Sequence, residues 1–228
     1  GIDLTPHFII DNQAKQFHEG LATICNKYDV TFYPTFKNWA DDYFFIPHRN
    51  ETRGIGGIFF DHLKESSTIS KAQLLQFCIE LGDNFSVLYQ QQVEQGKNKP
   101  FNKQQIHWRN LRRGRYVEFN LVNDRGTKFG LVSGGRTESI LMSLPANASW
   151  EYNYQVKPAS PEQQTMEKLK YEDLIDSKNR IWRNTGSGYS CCHPDKTKVD
   201  DVRFRRLTEK VYKNLHPSII SKNQFHGV

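Results

Sequence analysis

A chain of 228 residues with 37% hydrophobic content and a mean hydropathy of -0.70 is long enough to bury one sizeable core. No apolar run approaches the roughly 20 residues that span a bilayer, so the composition reads as a soluble globular protein without a membrane span. The net charge of +6 invites a nucleic-acid reading, but residues 177–228 carry 11 Lys/Arg against 4 Asp/Glu while the remainder carries 20 against 21; the basicity belongs to the tail, and no nucleic-acid partner is expected.

The chain opens at Gly1 with neither an initiator Met nor a signal peptide, which predicts a fragment or a processed product. Residues 11–30 place Ala14, Phe17, Leu21, Ile24, Cys25 and Tyr28 at helical spacing, with His18 on or beside that stripe. A second helix is expected after Pro34, burying Phe36, Trp39 and Tyr43. Residues 36–61 then crowd together aromatics, paired acids, His48, Arg49, Glu51, Arg53 and three glycines. The aromatic bodies need burial, and the four polar residues are held near a core edge. The glycines at 54, 56 and 57 permit a sharp turn or a close backbone approach. Residues 70–95 give the longest helical pattern, with Leu74, Cys78, Leu81, Phe85, Leu88 and Tyr89 on its apolar face and Gly82 marking a kink. Asn102 and Gln105 form a capping box that opens a short helix ending at Arg112.

From Arg115 the period changes. Val117, Phe119 and Leu121 alternate with polar residues as in a strand, residues 123–126 read as a turn, and residues 127–132 as a second strand. After a turn at residues 133–135, residues 136–144 make a third, so an antiparallel meander is expected. Ser160 and Pro161 start a further helix. Residues 185–190 resemble a linker, and residues 198–215 form a basic amphipathic helix read as a weakly docked appendage. Cys25 and Cys78 are read as small core residues. Cys191 and Cys192, beside His193, lack the spacing of a zinc site, so a reducing compartment is expected.

Residues 36–61 (FKNWADDYFFIPHRNETRGIGGIFFD) closely resemble the signature segment of the oxygen-dependent coproporphyrinogen III oxidases of heme synthesis. Further matches follow in the family's order at residues 112–120 (RRGRYVEFN), 124–131 (DRGTKFGL) and 134–145 (GGRTESILMSLP). The resemblance makes residues 1–176 a family-like domain and residues 177–228 a basic extension of unassigned role. It implies a single α+β domain, a broad antiparallel β-sheet flanked by helices on both faces, with part of that sheet upstream. It also implies oxidative decarboxylation of coproporphyrinogen III to protoporphyrinogen IX, with molecular oxygen as co-substrate and no organic cofactor. The GIGG at residues 54–57 is not a dinucleotide-binding fingerprint. A homodimer joined through residues 116–150 is implied, in the cytoplasm or, in a eukaryote, in a mitochondrion or plastid.

Such a substrate offers carboxylates on a ring with central N–H groups, so its site needs cations and an acceptor. The resemblance makes Asp124 a candidate partner of the pyrrole nitrogens, where it helps remove an N–H proton, with Arg125 beside it as a bidentate propionate clamp. Asp3 is a rival for the pyrrole contact. Gly134, Gly135 and Arg136 match a substrate-contact motif in which backbone N–H groups and the arginine meet a carboxylate, and Arg112, Arg113 and Arg115 are candidates to extend it. On the residues alone, Asp124 merely starts a turn and the glycine pair is an ordinary hairpin. His18 and His48 stand where the family carries a proposed divalent-metal assignment, although two histidines without a nearby carboxylate or thiolate make an incomplete site. Asn123 stands where an aromatic is usual, and the upstream portion with its proton-donor histidine is absent. The isolated chain is therefore expected to be inactive or nearly so, and a non-catalytic tetrapyrrole-binding or dimerisation module is the alternative.

Overall fold

Four of the seven α-helices among the described residues begin at a side chain that satisfies a first free backbone N–H group. The computed structural model describes residues 1–170; the domain boundary expected after 176, the linker, the basic helix and the Cys191–His193 run lie outside the described residues. The elements run β1 (Ile2–Leu4), α1 (Asp11–Asn26), α2 (Phe32–Tyr43), β2 (Phe45–Ile46), a 3-10 turn (Pro47–Arg49), β3 (Glu51–Thr52) and β4 (Gly56–Ile58). They continue with α3 (Lys71–Gly96), α4 (Lys103–Glu118), a π-turn (Phe119–Asn123), α5 (Arg125–Val132), α6 (Thr137–Ile140) and α7 (Pro161–Leu169). Ser70 with Gln73 caps α3, Asn102 with Gln105 caps α4, and Ser160 caps α7 with Pro161 at its first position. Pro34 lies in the first turn of α2, where its missing N–H breaks no helical bond. No helix among the described residues is long and apolar enough to cross a membrane.

The main core packs Phe17, Leu21, Ile24 and Cys25 of α1 against Tyr33 and Phe36 of α2, Phe77 and Leu81 of α3, and Ile58 of β4. Burial pushes the Cys25 thiol up to about 12. On α3 the inward position is Phe77 rather than Cys78, so Cys78 and Tyr89 are exposed, contrary to the expected stripe, and the helix runs unbroken through Gly82. A second cluster of Ala40, Phe44, Ile46 and Phe119, flanked by Tyr43 and Phe59, joins α2 to the end of α4.

β1 lies antiparallel to β4 with Asp3 opposite Gly57, and β2 pairs with β3. The glycines permit that first pairing. A Cβ at Gly57 would stand 1.9 Å from the Ile2 carbonyl oxygen, and one at Gly54 2.2 Å from that of Leu4.

The expected meander at residues 115–144 is helical instead. Three alternating residues compete there with a longer pattern, since Trp108, Leu111, Arg112, Arg115 and Phe119 recur at helical spacing and carry α4 into the second cluster. Asp124 is extended and caps α5, so it is a helix start rather than a turn between strands. Gly134 has φ +71° and Gly135 N–H reaches the Gly130 carbonyl (3.0 Å), while Gly134 N–H reaches that of Leu131 (3.4 Å). This is a Schellman cap closing α5, not a hairpin.

Candidate functional site

The second aromatic cluster fixes a group of charged side chains. Tyr43, in the last turn of α2, stacks on Phe59 at 4.4 Å and meets Phe44 and Phe119 edge-on, so its ring is held on three sides. Its hydroxyl donates to Asp124 Oδ1 (2.7 Å) and accepts the N–H of Arg125 (3.2 Å). Asp124 Oδ2 accepts from the backbone N–H (2.6 Å) and the hydroxyl (2.8 Å) of Thr127. The carboxylate is therefore gripped through both oxygens. Arg125 is 64% exposed in its side chain, with its guanidinium 5.1 Å from the Tyr43 ring centre and 3.7 Å from Asp61.

Arg53 links this pair to the first strand. Its guanidinium is buried among Phe44 (4.1 Å), Phe119 (4.8 Å) and Tyr116 (4.9 Å), and it donates to Asp3. Burial alone would raise the Asp124 carboxyl. The Thr127 and Tyr43 hydrogen bonds and the Arg53 charge outweigh that and hold it below the ordinary aspartate range. Tyr43 is displaced upward, first by burial and then by donating to Asp124, so its phenol stays protonated. A carboxylate so stabilised is a weak base. In the structure it is a fixed hydrogen-bond acceptor.

A second ionic network lies alongside. Glu51 and Arg112 form an ion pair at 2.7 Å with both side chains 3% exposed. Glu118 receives Arg49 (2.6 and 2.8 Å), His48 (2.9 Å), Arg115 (3.1 Å) and the Trp150 indole N–H (3.0 Å). Burial opposes the charge on Glu118, but its donors prevail and pull its carboxyl down to about 2.

Other candidates sit elsewhere. The N–H groups of Gly134 and Gly135 are taken by the α5 cap, and Arg136, 78% exposed, faces Glu138 at 3.6 Å. His18 is buried, its Nε2–H donating to the Ile55 carbonyl (2.9 Å) and its Nδ1 accepting from Tyr33 (3.0 Å), whereas His48 serves Glu118. With both ring nitrogens of His18 committed, the pair does not fit a shared metal, and no group of three or more metal-ligating side chains converges among the described residues. A cavity of about 270 Å³ opens between Trp108, Arg112, Tyr154 and Met166, and Asp3, Asp124, Arg125 and Arg136 are not among its lining residues.

The sequence profile of coproporphyrinogen III oxidase matches residues 1–173. The chain belongs to the coproporphyrinogen III oxidase family. It is 51% identical over 162 residues to the chloroplastic oxygen-dependent coproporphyrinogen-III oxidase of Hordeum vulgare, covering 71% of this chain and 41% of that protein. Coproporphyrinogen-III oxidase 1, chloroplastic, of Arabidopsis thaliana is 49% identical over the same length, again 41% of its own. The oxygen-dependent coproporphyrinogen-III oxidase of Francisella tularensis subsp. holarctica (strain LVS) is 45% identical over 175 residues, 77% of this chain and 56% of the bacterial protein. The chain thus spans about half the length of the curated relatives it matches.

The coproporphyrinogen oxidase signature segment contributes two residues that the pattern alone did not single out. Tyr43 reads in sequence as an apolar body and Arg53 as a charge at a core edge. The available signal was that a buried tyrosine hydroxyl needs a partner. Its partner here, Asp124, is 81 residues away.

Proposed function

We propose that the full-length protein catalyses the oxygen-dependent oxidative decarboxylation of coproporphyrinogen III to protoporphyrinogen IX, and that this chain supplies Asp124, Arg125 and Asp3 to the site. The observation that carries the reading is the Asp124 carboxylate, gripped through both oxygens, with Arg125 next to it in the chain and the buried Arg53, paired with Asp3, adding a charge that lowers its carboxyl. At two of the four propionates the carboxylate leaves as CO2 while the remaining side chain loses a proton and two electrons to become a vinyl group, and molecular oxygen takes the electrons. Positive charge grows on the ring as electrons depart. A fixed carboxylate near the pyrrole N–H groups accepts their hydrogen bonds and offsets that charge. Arg125, tethered at its backbone but exposed at its guanidinium, is placed to close on a propionate. Because the glycine N–H groups are occupied, the second carboxylate contact is assigned to the Arg136 guanidinium alone.

Asp124→Asn tests this, since asparagine keeps the helix cap and removes the charge. With anaerobically prepared coproporphyrinogen III, oxygen, and the chain extended to the family's length, pigment chromatography should show turnover lowered about 100-fold or more. Unchanged product formation would overturn the reading. The exposure of Arg125 and Arg136 favours one alternative, a non-catalytic tetrapyrrole-binding or dimerisation module. Extended wild-type protein that binds the porphyrinogen without converting it would establish that alternative.

The partner we propose is a second copy. Leu121, Val122, Phe129, Val132, Met142 and Trp150 are exposed large hydrophobics within one stretch of sequence, which supports burial against a partner. Val132→Asp should convert a dimer to a monomer in sedimentation velocity, and an unchanged sedimentation coefficient would argue against this face. The same reading places the two short sheets at the margin of a broad antiparallel sheet in the whole protein, which a structure at full length would test. The compartment follows the source, cytoplasm in a bacterium or mitochondrion or plastid in a eukaryote, as fractionation would reveal.

A further inference from the structure

We propose that Tyr43 is the positioning residue of the Asp124–Arg125 pair, setting both the direction of the carboxylate and the base of the clamp; the proposal rests on the reading that this pair meets the substrate. One phenolic oxygen serves both residues, donating to Asp124 Oδ1 at 2.7 Å and accepting from Arg125 N–H at 3.2 Å. The ring that carries it cannot swing, because Phe59 lies flat against one face at 4.4 Å and 14° while Phe44 and Phe119 close two edges. The Arg125 guanidinium reaches toward the same ring at 5.1 Å, so backbone and side chain of the clamp share one support.

Thr127 holds only Oδ2, through its N–H and its hydroxyl. Two bonds to a single oxygen leave the carboxylate able to pivot about that atom. The Tyr43 bond to Oδ1 removes this freedom and fixes the lone pairs that remain for a ligand. The residue types fit the task. Phenylalanine would fill the same space against Phe59 but offer nothing to either Asp124 or Arg125. A serine or threonine could not span from α2 to the start of α5.

The test is Tyr43→Phe, which keeps the ring and deletes the oxygen. In the 228-residue chain, residue-resolved NMR reads the effect without needing turnover. The Asp124 side-chain carboxyl carbon shift should move as Oδ1 loses its donor, and Arg125 amide exchange should quicken about tenfold, as when one hydrogen bond is lost, while Thr127 exchange changes far less. An unchanged Asp124 carboxyl shift with unchanged Arg125 exchange would overturn the proposal. In the chain extended to the family's length, Tyr43→Phe should lower kcat about tenfold at nearly constant KM. The double variant with Asp124→Asn should be slower than Asp124→Asn alone by clearly less than the Tyr43→Phe factor, because only the share that passes through Arg125 is left to lose. Losses that multiply would overturn the positioning role. If Asp124→Asn turns over normally, the functional reading fails by itself, and the NMR result still decides whether Tyr43 holds the pair.

Discussion

Glu51→Ala is expected to cost about 3–5 kcal/mol, because it strands a guanidinium in the interior. Glu51 and Arg112 are each 3% exposed in their side chains, and Arg112 already has one terminal nitrogen, Nη2, without a hydrogen-bond acceptor. Removing the carboxylate leaves the Arg112 charge with neither solvent nor counter-charge, and it weakens the 3.7 Å contact that steadies Arg115. Set against the roughly 5–15 kcal/mol that holds a domain folded, this is a large fraction. Urea denaturation would measure it. The double replacement Glu51→Leu with Arg112→Met should recover most of the loss, since it removes both charges and restores apolar volume. A single-variant loss under about 1 kcal/mol would mean that water reaches the pair.

Gly57→Ala is expected to lose about 3 kcal/mol, at the upper end of what overpacking costs. The added methyl would stand 1.9 Å from the Ile2 carbonyl oxygen and 2.9 Å from the Asp3 Cα, so backbone rather than a flexible side chain must give way. The relief available is for β1 to lift from β4, which breaks the pairing of Asp3 with Gly57 and carries the Asp3 carboxylate away from Arg53. Amide exchange should therefore quicken along residues 2–4 and 56–58 before it does on α1. Gly82→Ala is the matching control. A methyl there meets nothing within 4 Å, so that variant should be at least as stable as the parent. Equal stability of the Gly57 and Gly82 variants would show that β1 is not held as described.

The helical frame was legible where local chemistry speaks for itself. Capping pairs announce α4 and α7, and the stripe through Phe17, Leu21 and Cys25 announces α1. What misled was a run too short to choose its own period. Val117, Phe119 and Leu121 suit a strand face, yet Phe119 also continues a helical row from Trp108, and the second aromatic cluster rewards the helix by burying it fully. Cys78 lost the inward position to Phe77 in the same way, the larger ring filling the space beside Tyr28, Phe32 and Phe36. For the candidate site, Asp3, Asp124 and Arg125 could be named from motif resemblance, but their connection could not. It passes through Tyr43 and Arg53, and a contact across 81 residues leaves no trace in local spacing. The glycine pair at 134–135 shows the converse, since its left-handed φ satisfies a helix end as well as it would a hairpin.

One carboxylate here answers to two masters. Asp124 closes the first turn of α5 and is also the acid assigned to the ring nitrogens, so a mutational library at that position should split into two tolerance profiles. Foldability screens would accept asparagine or serine, which cap as well as aspartate does. Selection for product would reject both for want of charge, and glutamate, though charged, is a methylene too long to cap in the same geometry. Aspartate alone meets both demands, which makes codon 124 a place where drift under relaxed selection for turnover should register early.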